Sequence, residues 1–247
     1  MNLKNKNILI VGSNGLIGKE LVRKLKKQKS NIFTIEKKKD KNSKKNFFLS
    51  SELAKDQINE FKQIINKIKR IDIFINCSYP KNKNWENQTF KKSNYSNFDE
   101  NLELHLNTFC FFSKIIAETM KKKKIKGSIV NLSSIYGVVA QDTSVYKTTK
   151  MSENISYAPI KSGIIGFTKL LAAYYAKYGI RANTVSPGGV ITKKMNKTFL
   201  KNYKKRVPIK RLCKPSEVAD PIIFLASSSS SYITGINLLV DGGWTSI

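Results

Sequence analysis

Residues 7–21, NILIVGSNGLIGKEL, contain the pattern that decides the fold. A short apolar run is followed by glycines at positions 12, 15 and 18, and an amphipathic segment then predicts a helix over 15–29. In such a strand–turn–helix unit, Gly12 permits the tight turn, Gly15 lets the backbone approach a phosphate, and Gly18 allows close helix–strand packing. The helix N-terminus then offers free N–H groups to a pyrophosphate. We therefore expect a dinucleotide-binding turn, with a purely structural turn as the alternative. Its expected contact residues are Gly12, Ser13, Asn14, Gly15, Leu16, Ile17 and Gly18.

The rest of the chain continues this alternation of short apolar runs and longer amphipathic segments. Strands are predicted at 7–11, 31–35, 71–76, 127–133, 180–186 and 236–240. Helices are predicted at 15–29, 52–68, 97–123, 158–178 and 215–227. Helices between successive strands imply a parallel sheet covered on both faces. No repeat or linker-like stretch divides the chain, so we expect one α/β domain over residues 1–247, a doubly wound sheet of the Rossmann type.

The second predicted strand ends in an acidic residue, Glu36, eighteen positions after Gly18. A carboxylate at this place accepts hydrogen bonds from the adenosine ribose, and it repels a 2′-phosphate. This favours NAD over NADP. Lys37, Lys38 and Lys39 argue in the other direction because any of them could turn toward that phosphate, so NADP remains open.

The pattern Tyr-x-x-x-Lys occurs twice within residues 146–161. A tyrosine and a lysine four apart share a helix face, where the ammonium can lower the phenol pKa from about 10 toward the range of acid–base catalysis. Tyr157 and Lys161 open a continuous amphipathic segment. Tyr146 and Lys150 are followed by Ser, Asn and Pro, which predict a loop that fixes neither side chain. Preorganisation therefore favours the second pair.

Together with other segments, these motifs resemble the short-chain dehydrogenase/reductase family. The similar segments are the glycine turn, IDIFINCS (71–78), NLSSIYG (131–137), YAPIKSGIIGFTK (157–169), IRANTVSPGGVIT (180–192) and KPSEVADPIIFLASSSSSYITGINLLVDGG (214–243). The resemblance implies an NAD(P)-dependent oxidoreductase that interconverts a hydroxyl and a carbonyl by hydride transfer.

The resemblance also implies a role for each matching residue. Tyr157 would be the general acid that protonates the substrate oxygen, and Lys161 would lower its pKa and hydrogen-bond the nicotinamide ribose. Ser134 would hold the carbonyl oxygen, with its neighbour Ser133 as the alternative. Further contacts to the cofactor are implied for Asn76, Pro187, Gly188, Val190 and Thr192.

The family's fourth catalytic residue is an asparagine in the long central helix. Aligning FFSKIIAETM (111–120) with the family pattern places His105, the only histidine of the chain, at that position. Asn107 lies two residues further, on roughly the opposite side of a helix. A neutral imidazole could take part in a proton relay from Lys161. The alternative is a histidine that only packs in the core.

The chain departs from the family in other ways. The glycine turn has the spacing G-x-x-G-x-x-G, and the usual Asn-Asn-Ala-Gly after the fourth strand reads Asn-Cys-Ser-Tyr at 76–79. The usual acidic residue after the third strand is replaced by Ser50 or Ser51. Twenty-two residues separate Ser134 from Tyr157, more than is usual. The inserted loop, 139–156, suggests a lid or a larger substrate.

This insertion, NCSYPKNKNW (76–85) and the histidine resemble short-chain dehydrogenases of bacterial flagellin modification and surface-sugar biosynthesis. The resemblance implies a small-molecule substrate that is a sugar or sugar-derived, and a phosphorylated or nucleotide-linked one would suit lysines near the cleft. A 3-oxoacyl-carrier-protein reductase is the alternative among enzymes. A non-catalytic dinucleotide-binding sensor or scaffold is the alternative of another class.

The net charge of +28 is carried mainly by lysine, since only five of the 45 basic residues are arginine. Nucleic-acid readout depends strongly on arginine, so we interpret the charge as a solvated surface and expect no nucleic-acid partner. No apolar run approaches a membrane span and the start lacks a signal-peptide pattern, so we expect a cytoplasmic protein with no membrane partner.

Two expectations concern metals and assembly. The three cysteines are scattered, which suggests neither a disulfide framework nor a metal site. The C-terminal YITGINLLVDGGW (232–244) resembles the segment that family members use to form tetramers. We therefore expect a homotetramer.

Overall fold

A parallel sheet forms the centre of the molecule. The structure is a computed structural model that describes residues 2–37 and 45–247, and within these ranges the sheet has seven strands in the order β3-β2-β1-β4-β5-β6-β7. The strands are β1 (Asn7–Val11), β2 (Asn31–Glu36), β3 (Asn46–Phe48), β4 (Ile73–Asn76), β5 (Ser128–Leu132), β6 (Arg181–Pro187) and β7 (Asn237–Val240). The strand order changes direction between β1 and β4, which opens a crevice at their carboxyl ends.

Helices cover both faces of this sheet. They are α1 (Leu16–Lys27), α2 (Ala54–Lys67), α3 (Tyr95–Asn101), α4 (Thr108–Lys122), α5 (Tyr157–Tyr175), α6 (Lys197–Arg206) and α7 (Pro215–Ala226), and a π-helical segment, Leu102–Asn107, joins α3 to α4. Alternate residues of each strand point to opposite faces. Leu9 therefore packs with α2, α4 and α5, whereas Ile8 packs with α1 and α7. The predicted α/β class, a doubly wound Rossmann-type sheet, is confirmed.

Two elements were missed by the sequence patterns. β3 has three residues, all of intermediate exposure, so it lacks the apolar run that marks the other strands. α6 buries only Phe199 and Tyr203 among ten residues, which is too few to show a helical period. The predicted helix over 97–123 is present as α3, the π-helical segment and α4 in succession.

Three smaller observations complete the description. None of the helices in the described part of the chain is long and apolar enough to cross a membrane. Cys77, Cys110 and Cys213 are all free thiols. Lys38 and Lys39, two of the lysines that argued for NADP, lie outside the described residues.

Candidate active site

A cavity of about 450 Å³ lies at the carboxyl ends of the strands, where the strand order changes direction. It begins at Glu36, passes the glycine turn, and reaches the start of α5. The predicted residues that line it are Gly12, Gly15, Leu16, Ile17, Glu36, Ser134, Tyr157, Lys161, Pro187, Gly188 and Val190. The fold therefore brings most of the predicted site together in one elongated cleft.

The glycine turn is shaped to receive a phosphate. Gly12 has φ of +83°, and a Cβ there would lie 2.7 Å from Cα of Ser78. A Cβ at Gly18 would lie 2.6 Å from Cα of Ser13, inside the turn. Gly15 is the N-cap of α1, and no side chain caps this helix end. The N–H groups of the first helical turn thus remain available, which fits the pyrophosphate of a dinucleotide.

Glu36 is held in place by the turn itself. Its Oε1 accepts hydrogen bonds from Ser13 Oγ at 2.6 Å and from the backbone N–H of Asn14 at 3.0 Å. Ser13 and Asn14, two predicted cofactor contacts, line a neighbouring cavity of about 450 Å³, which Glu36 lines as well as the main one. Through these hydrogen bonds Ser13 and Asn14 orient the Glu36 carboxylate, which reaches the cleft.

Asn76 and Thr192, two other predicted cofactor contacts, are not among the residues that line the cavity. Asn76 is fully buried, and its Oδ1 accepts hydrogen bonds from Ser78 Oγ at 2.7 Å and from Ser78 N–H at 3.3 Å. Asn76 therefore organises the turn after β4, while the residues that follow it line the cavity. Thr192 is exposed beyond β6 and does not line the cavity either.

The two candidate serines have different surroundings. Ser133 Oγ donates a 2.8 Å hydrogen bond to the backbone oxygen of Lys161, so it ties β5 to α5. Both serines line the cavity, but Ser134 Oγ has no such tie to α5: it accepts from the N–H of Tyr136 at 3.2 Å, and its proximity to the Tyr157 phenol acts to lower the pKa of that phenol. The geometry favours Ser134 over Ser133 as the residue that faces a substrate.

Burial dominates the titration of the Tyr157–Lys161 pair. It raises the pKa of Tyr157 to about 12, although the proximity of Ser134 acts in the opposite direction. Burial also lowers the pKa of Lys161 to about 7. Lys161 Nζ lies 5.6 Å from the centre of the Tyr157 ring. Within the chain alone the pKa of Tyr157 is therefore raised by desolvation, against the lowering expected from Lys161.

His105 contacts the same amine. Its Nε2 lies 3.3 Å from Lys161 Nζ, which also lies 3.5 Å from the backbone oxygen of Leu132. The imidazole is fully buried, and burial together with the nearby Lys161 holds the pKa of His105 well below its usual value. A neutral imidazole is therefore expected at this position. Asn107 is exposed, as its opposite helix side predicted.

The π-helical segment explains this placement. Such a segment inserts an extra residue into a helix, and it is frequent at functional sites. Leu102–Asn107 contains His105 at its centre and is continuous with α4, whose first residue Thr108 lines the cavity. From this segment His105 Nε2 reaches to 3.3 Å from Lys161 Nζ of α5, and the imidazole lies 5.3 Å from the ring of Phe109 in the first turn of α4.

Tyr146 and Lys150 do not contribute to the cavity. Lys150 is exposed, but the Tyr146 ring stacks on Phe199 of α6 with centroids 6.0 Å apart and 16° between planes. The prediction that the loop would leave Tyr146 unfixed is wrong, because the loop gains a partner in a helix that the sequence pattern missed.

Two aromatic residues next to the site had no role in the sequence interpretation. The ring of Tyr79 lines the cavity and lies edge-on to Tyr157 with centroids 5.9 Å apart. Trp85 lies edge-on to Tyr79 at 5.4 Å. The signal was present in NCSYPKNKNW, where an aromatic ring replaces the family's usual glycine.

Comparison with known proteins gives a consistent result. The family model described as enoyl-(acyl carrier protein) reductase matches residues 17–245. The chain is 34% identical to post-translational flagellin modification protein A of Campylobacter coli, over 98% of this chain and 99% of that protein. It is 31% identical to the 3-oxoacyl-[acyl-carrier-protein] reductase of Buchnera aphidicola subsp. Schizaphis graminum, over 98% of each.

The fold is also similar to solved structures. One is a short chain dehydrogenase from Leptospira borgpetersenii with bound NAD⁺, which aligns with a TM-score of 0.86 and 34% sequence identity. The alignment covers 99% of this chain and 94% of that one. The similarity thus extends over the sheet, the glycine turn and the cleft described above.

Proposed function

The chain belongs to the short-chain dehydrogenase/reductase family, an oxidoreductase family acting on CH–OH groups, and from this premise we propose that its substrate is a sugar or sugar derivative and its preferred cofactor is NAD. The observation that carries the reaction type is the joint placement of Ser134, Tyr157 and Lys161 in the cleft that holds the glycine turn. The similarity to a flagellin modification protein over nearly the whole chain supports the substrate class.

The preference for NAD rests on Glu36. Its carboxylate faces the cleft, and two hydrogen bonds to the glycine turn hold it there. A fixed negative charge at this place repels the 2′-phosphate of NADP and accepts hydrogen bonds from an unmodified ribose. Lys37 lines the same cavity and is the described residue that could favour NADP.

In the proposed reaction the bound nicotinamide cofactor supplies or accepts the hydride. Tyr157, whose pKa of about 12 keeps it a phenol at neutral pH, donates a proton to the substrate oxygen during reduction. Ser134 holds that oxygen by a hydrogen bond. In oxidation each of these steps runs in reverse.

Lys161 and His105 are proposed to supply protons behind Tyr157. With a pKa of about 7, Lys161 exchanges a proton easily near neutral pH. His105 is its neighbour at 3.3 Å, and a neutral imidazole can accept a proton at one nitrogen while it gives up another from the second. We assign His105 this relay position in place of the family's asparagine.

A 3-oxoacyl-carrier-protein reductase is the second candidate. It is supported by 31% identity over 98% of both chains and by the description of the matching family model. The intact placement of Ser134, Tyr157 and Lys161 speaks against the non-catalytic sensor or scaffold.

Assembly and location belong to the same proposal. β7 is an edge strand with exposed apolar residues, Leu239 within it and Ile236 just before it, which supports a homotetramer formed through the C-terminal segment. A cytoplasmic location is proposed because NAD(P) is available there.

The test is an absorbance assay of NADH and NADPH oxidation with keto-sugars, nucleotide-linked keto-sugars and 3-oxoacyl thioesters. We expect turnover of a keto-sugar, faster with NADH than with NADPH. Replacement of Glu36 by Gln should reduce this preference, because it removes the charge and keeps the shape. Turnover of 3-oxoacyl thioesters alone, with NADPH, would instead show that the chain is a 3-oxoacyl-carrier-protein reductase.

A further inference from the structure

Tyr79 occupies a place that the proposed chemistry does not use. It follows β4, where the family's usual sequence ends in glycine, so a full aromatic ring is present where no side chain is usual. The ring lies edge-on to Trp85, His105 and Tyr157, with centroid distances of 5.4, 5.5 and 5.9 Å. Despite these contacts 46% of the residue is exposed, and it lines the cavity. A substrate held by Tyr157 must therefore come close to this ring.

The inserted segment, 139–156, supports the Tyr79 ring through Trp85. Trp85, the partner of Tyr79, is almost fully buried, and its backbone oxygen accepts a 2.8 Å hydrogen bond from Asn154 Nδ2. Close by, Ile155 N–H donates to the backbone oxygen of Gln88 at 2.8 Å. The end of the insertion is thus tied to the turn that supports Tyr79. The two departures from the family, the insertion and the tyrosine, form one structural unit.

The ring is also polarised by nearby cations. Lys81 Nζ lies 5.3 Å from its centroid, within the range of cation–π attraction, and Lys161 Nζ at 5.5 Å adds to this attraction when it is protonated. These contacts hold the ring in one orientation without covering it. The partial burial of Tyr79 among Trp85, His105 and Tyr157 raises its pKa, so its hydroxyl stays protonated and can both donate and accept hydrogen bonds.

We propose, building on the proposed function, that Tyr79 determines substrate specificity as a platform for a cyclic sugar. The C–H groups of a sugar ring would pack against the aromatic face, and a ring hydroxyl would hydrogen-bond the phenol. A rigid sugar ring loses little conformational freedom when it packs on the aromatic face. A flexible acyl thioester would have to be immobilised to pack there, which costs binding free energy. The platform thereby places the sugar's carbonyl carbon beside Tyr157 and selects against acyl chains.

The experiment compares Tyr79→Leu, Tyr79→Phe and the control Phe90→Leu. Phe90 is 83% exposed in the same stretch and does not line the cavity. The probes are a UDP-linked 4-keto-6-deoxyhexose and acetoacetyl-CoA, and NADH affinity is measured separately by fluorescence. Tyr79→Leu should raise KM for the sugar about tenfold or more and leave NADH affinity unchanged, since a lost apolar contact has this order of effect on discrimination. Tyr79→Phe should recover most of the sugar affinity, and Phe90→Leu should behave as wild type.

The variant Asn154→Ala tests the brace, and it should raise the sugar KM less than Tyr79→Leu does. An unchanged sugar KM in Tyr79→Leu, or a parallel loss of NADH affinity, would overturn the platform while leaving the proposed function intact. Failure of the proposed function is recognised beforehand, from a wild-type enzyme that reduces acetoacetyl-CoA and no keto-sugar, and it overturns the platform as well.

Discussion

Lys161 is a buried amine whose position costs folding free energy. Its pKa is about 7 in the folded chain against an ordinary value of 10.5, so between these pH values the unfolded chain binds more protons. The free energy of unfolding must therefore rise with pH across this window, and the cost is fully present below pH 7. The amine is retained although it destabilises the fold, as expected of a group kept for its chemistry.

This gives a prediction for Lys161→Met. At pH 6 the variant should be more stable than wild type by on the order of a few kcal/mol. The lost contacts of Lys161 to His105 and Leu132 reduce this gain. The gain should shrink as the pH approaches 10. Urea denaturation at both pH values measures it, with Lys150→Met as the matched control on an exposed lysine. A difference between variant and wild type that is the same at both pH values would contradict the pKa shift.

The two tyrosines of the Tyr-x-x-x-Lys pairs should respond differently to loss of the hydroxyl. Tyr157→Phe removes the proposed proton donor and should lower kcat by about 10²–10⁴-fold. Tyr146→Phe keeps the ring that stacks on Phe199, so it should cost at most about 1 kcal/mol of stability and leave kcat at the same order. Steady-state kinetics and thermal denaturation of both variants check this. Loss of turnover in the Tyr146 variant alone would reverse the assignment.

At the scale of elements, α6 and the inserted segment hold each other. Asn202 Nδ2 donates to the backbone oxygens of Val145 and Lys147, and Arg206 pairs with Asp142 at 3.3 Å. Tyr146 stacks on Phe199 in the same contact. The insertion is therefore packed onto α6 and does not extend freely over the cleft.

We expect Asn202→Ala to loosen both elements. Two lost hydrogen bonds at about 0.5–1.5 kcal/mol each should speed local opening several-fold without unfolding the sheet. Hydrogen exchange followed by mass spectrometry should show faster exchange in 139–156 and α6 together. Lys201→Ala, on the exposed side of the same helix, should leave exchange unchanged. Faster exchange in α6 alone would show that the two elements are not coupled.

The elements also show where sequence patterns suffice. β1, the glycine turn and α1 were predicted because apolar residues and glycines close in sequence determine them. β3 was not, because its three half-buried residues form no apolar run, and α6 was not, because it packs on the insertion, far along the chain. The same reason explains Tyr146, whose fixed position depends on Phe199, 53 residues away.

The same distinction applies to the residues of the candidate site. Tyr157, Lys161 and Ser134 lie on motifs that resemble a known family, and the cavity contains all three. Ser13, Asn14 and Asn76 stay predicted contacts of the cofactor, and the structure adds hydrogen bonds within the turns that carry the cavity-lining residues, which the motifs do not show. Tyr79 was passed over because the family pattern offers no side chain there for comparison.

Over the whole molecule, the parallel sheet gathers distant segments at one edge. The carboxyl ends of β1, β2, β4, β5 and β6 all open toward the cleft, so the site combines residues from 12 to 190. The two edge strands of the sheet have a different character. Strands of a parallel sheet are normally buried on both faces, but no residue of β3 or β7 is buried. The exposed apolar side chains on and beside β7 are the reason for proposing that a second copy of the chain covers this edge.

In a homotetramer a second copy of the chain would cover β7, and a substitution at Leu239 tests this hypothesis. The residue is 39% exposed on β7, close to Tyr232 and Ile236, whose apolar surfaces are also exposed. Leu239→Asp would place a charge in the contact between copies, where an unpaired buried charge costs several kcal/mol. Analytical ultracentrifugation should show a tetramer for wild type and smaller species for the variant at equal concentration. The control Leu53→Asp makes the same change at a residue that is 67% exposed, at the start of α2, and should stay tetrameric. A wild-type protein that sediments as a monomer would contradict the proposed tetramer. The exposed apolar residues of β7 would then need another explanation.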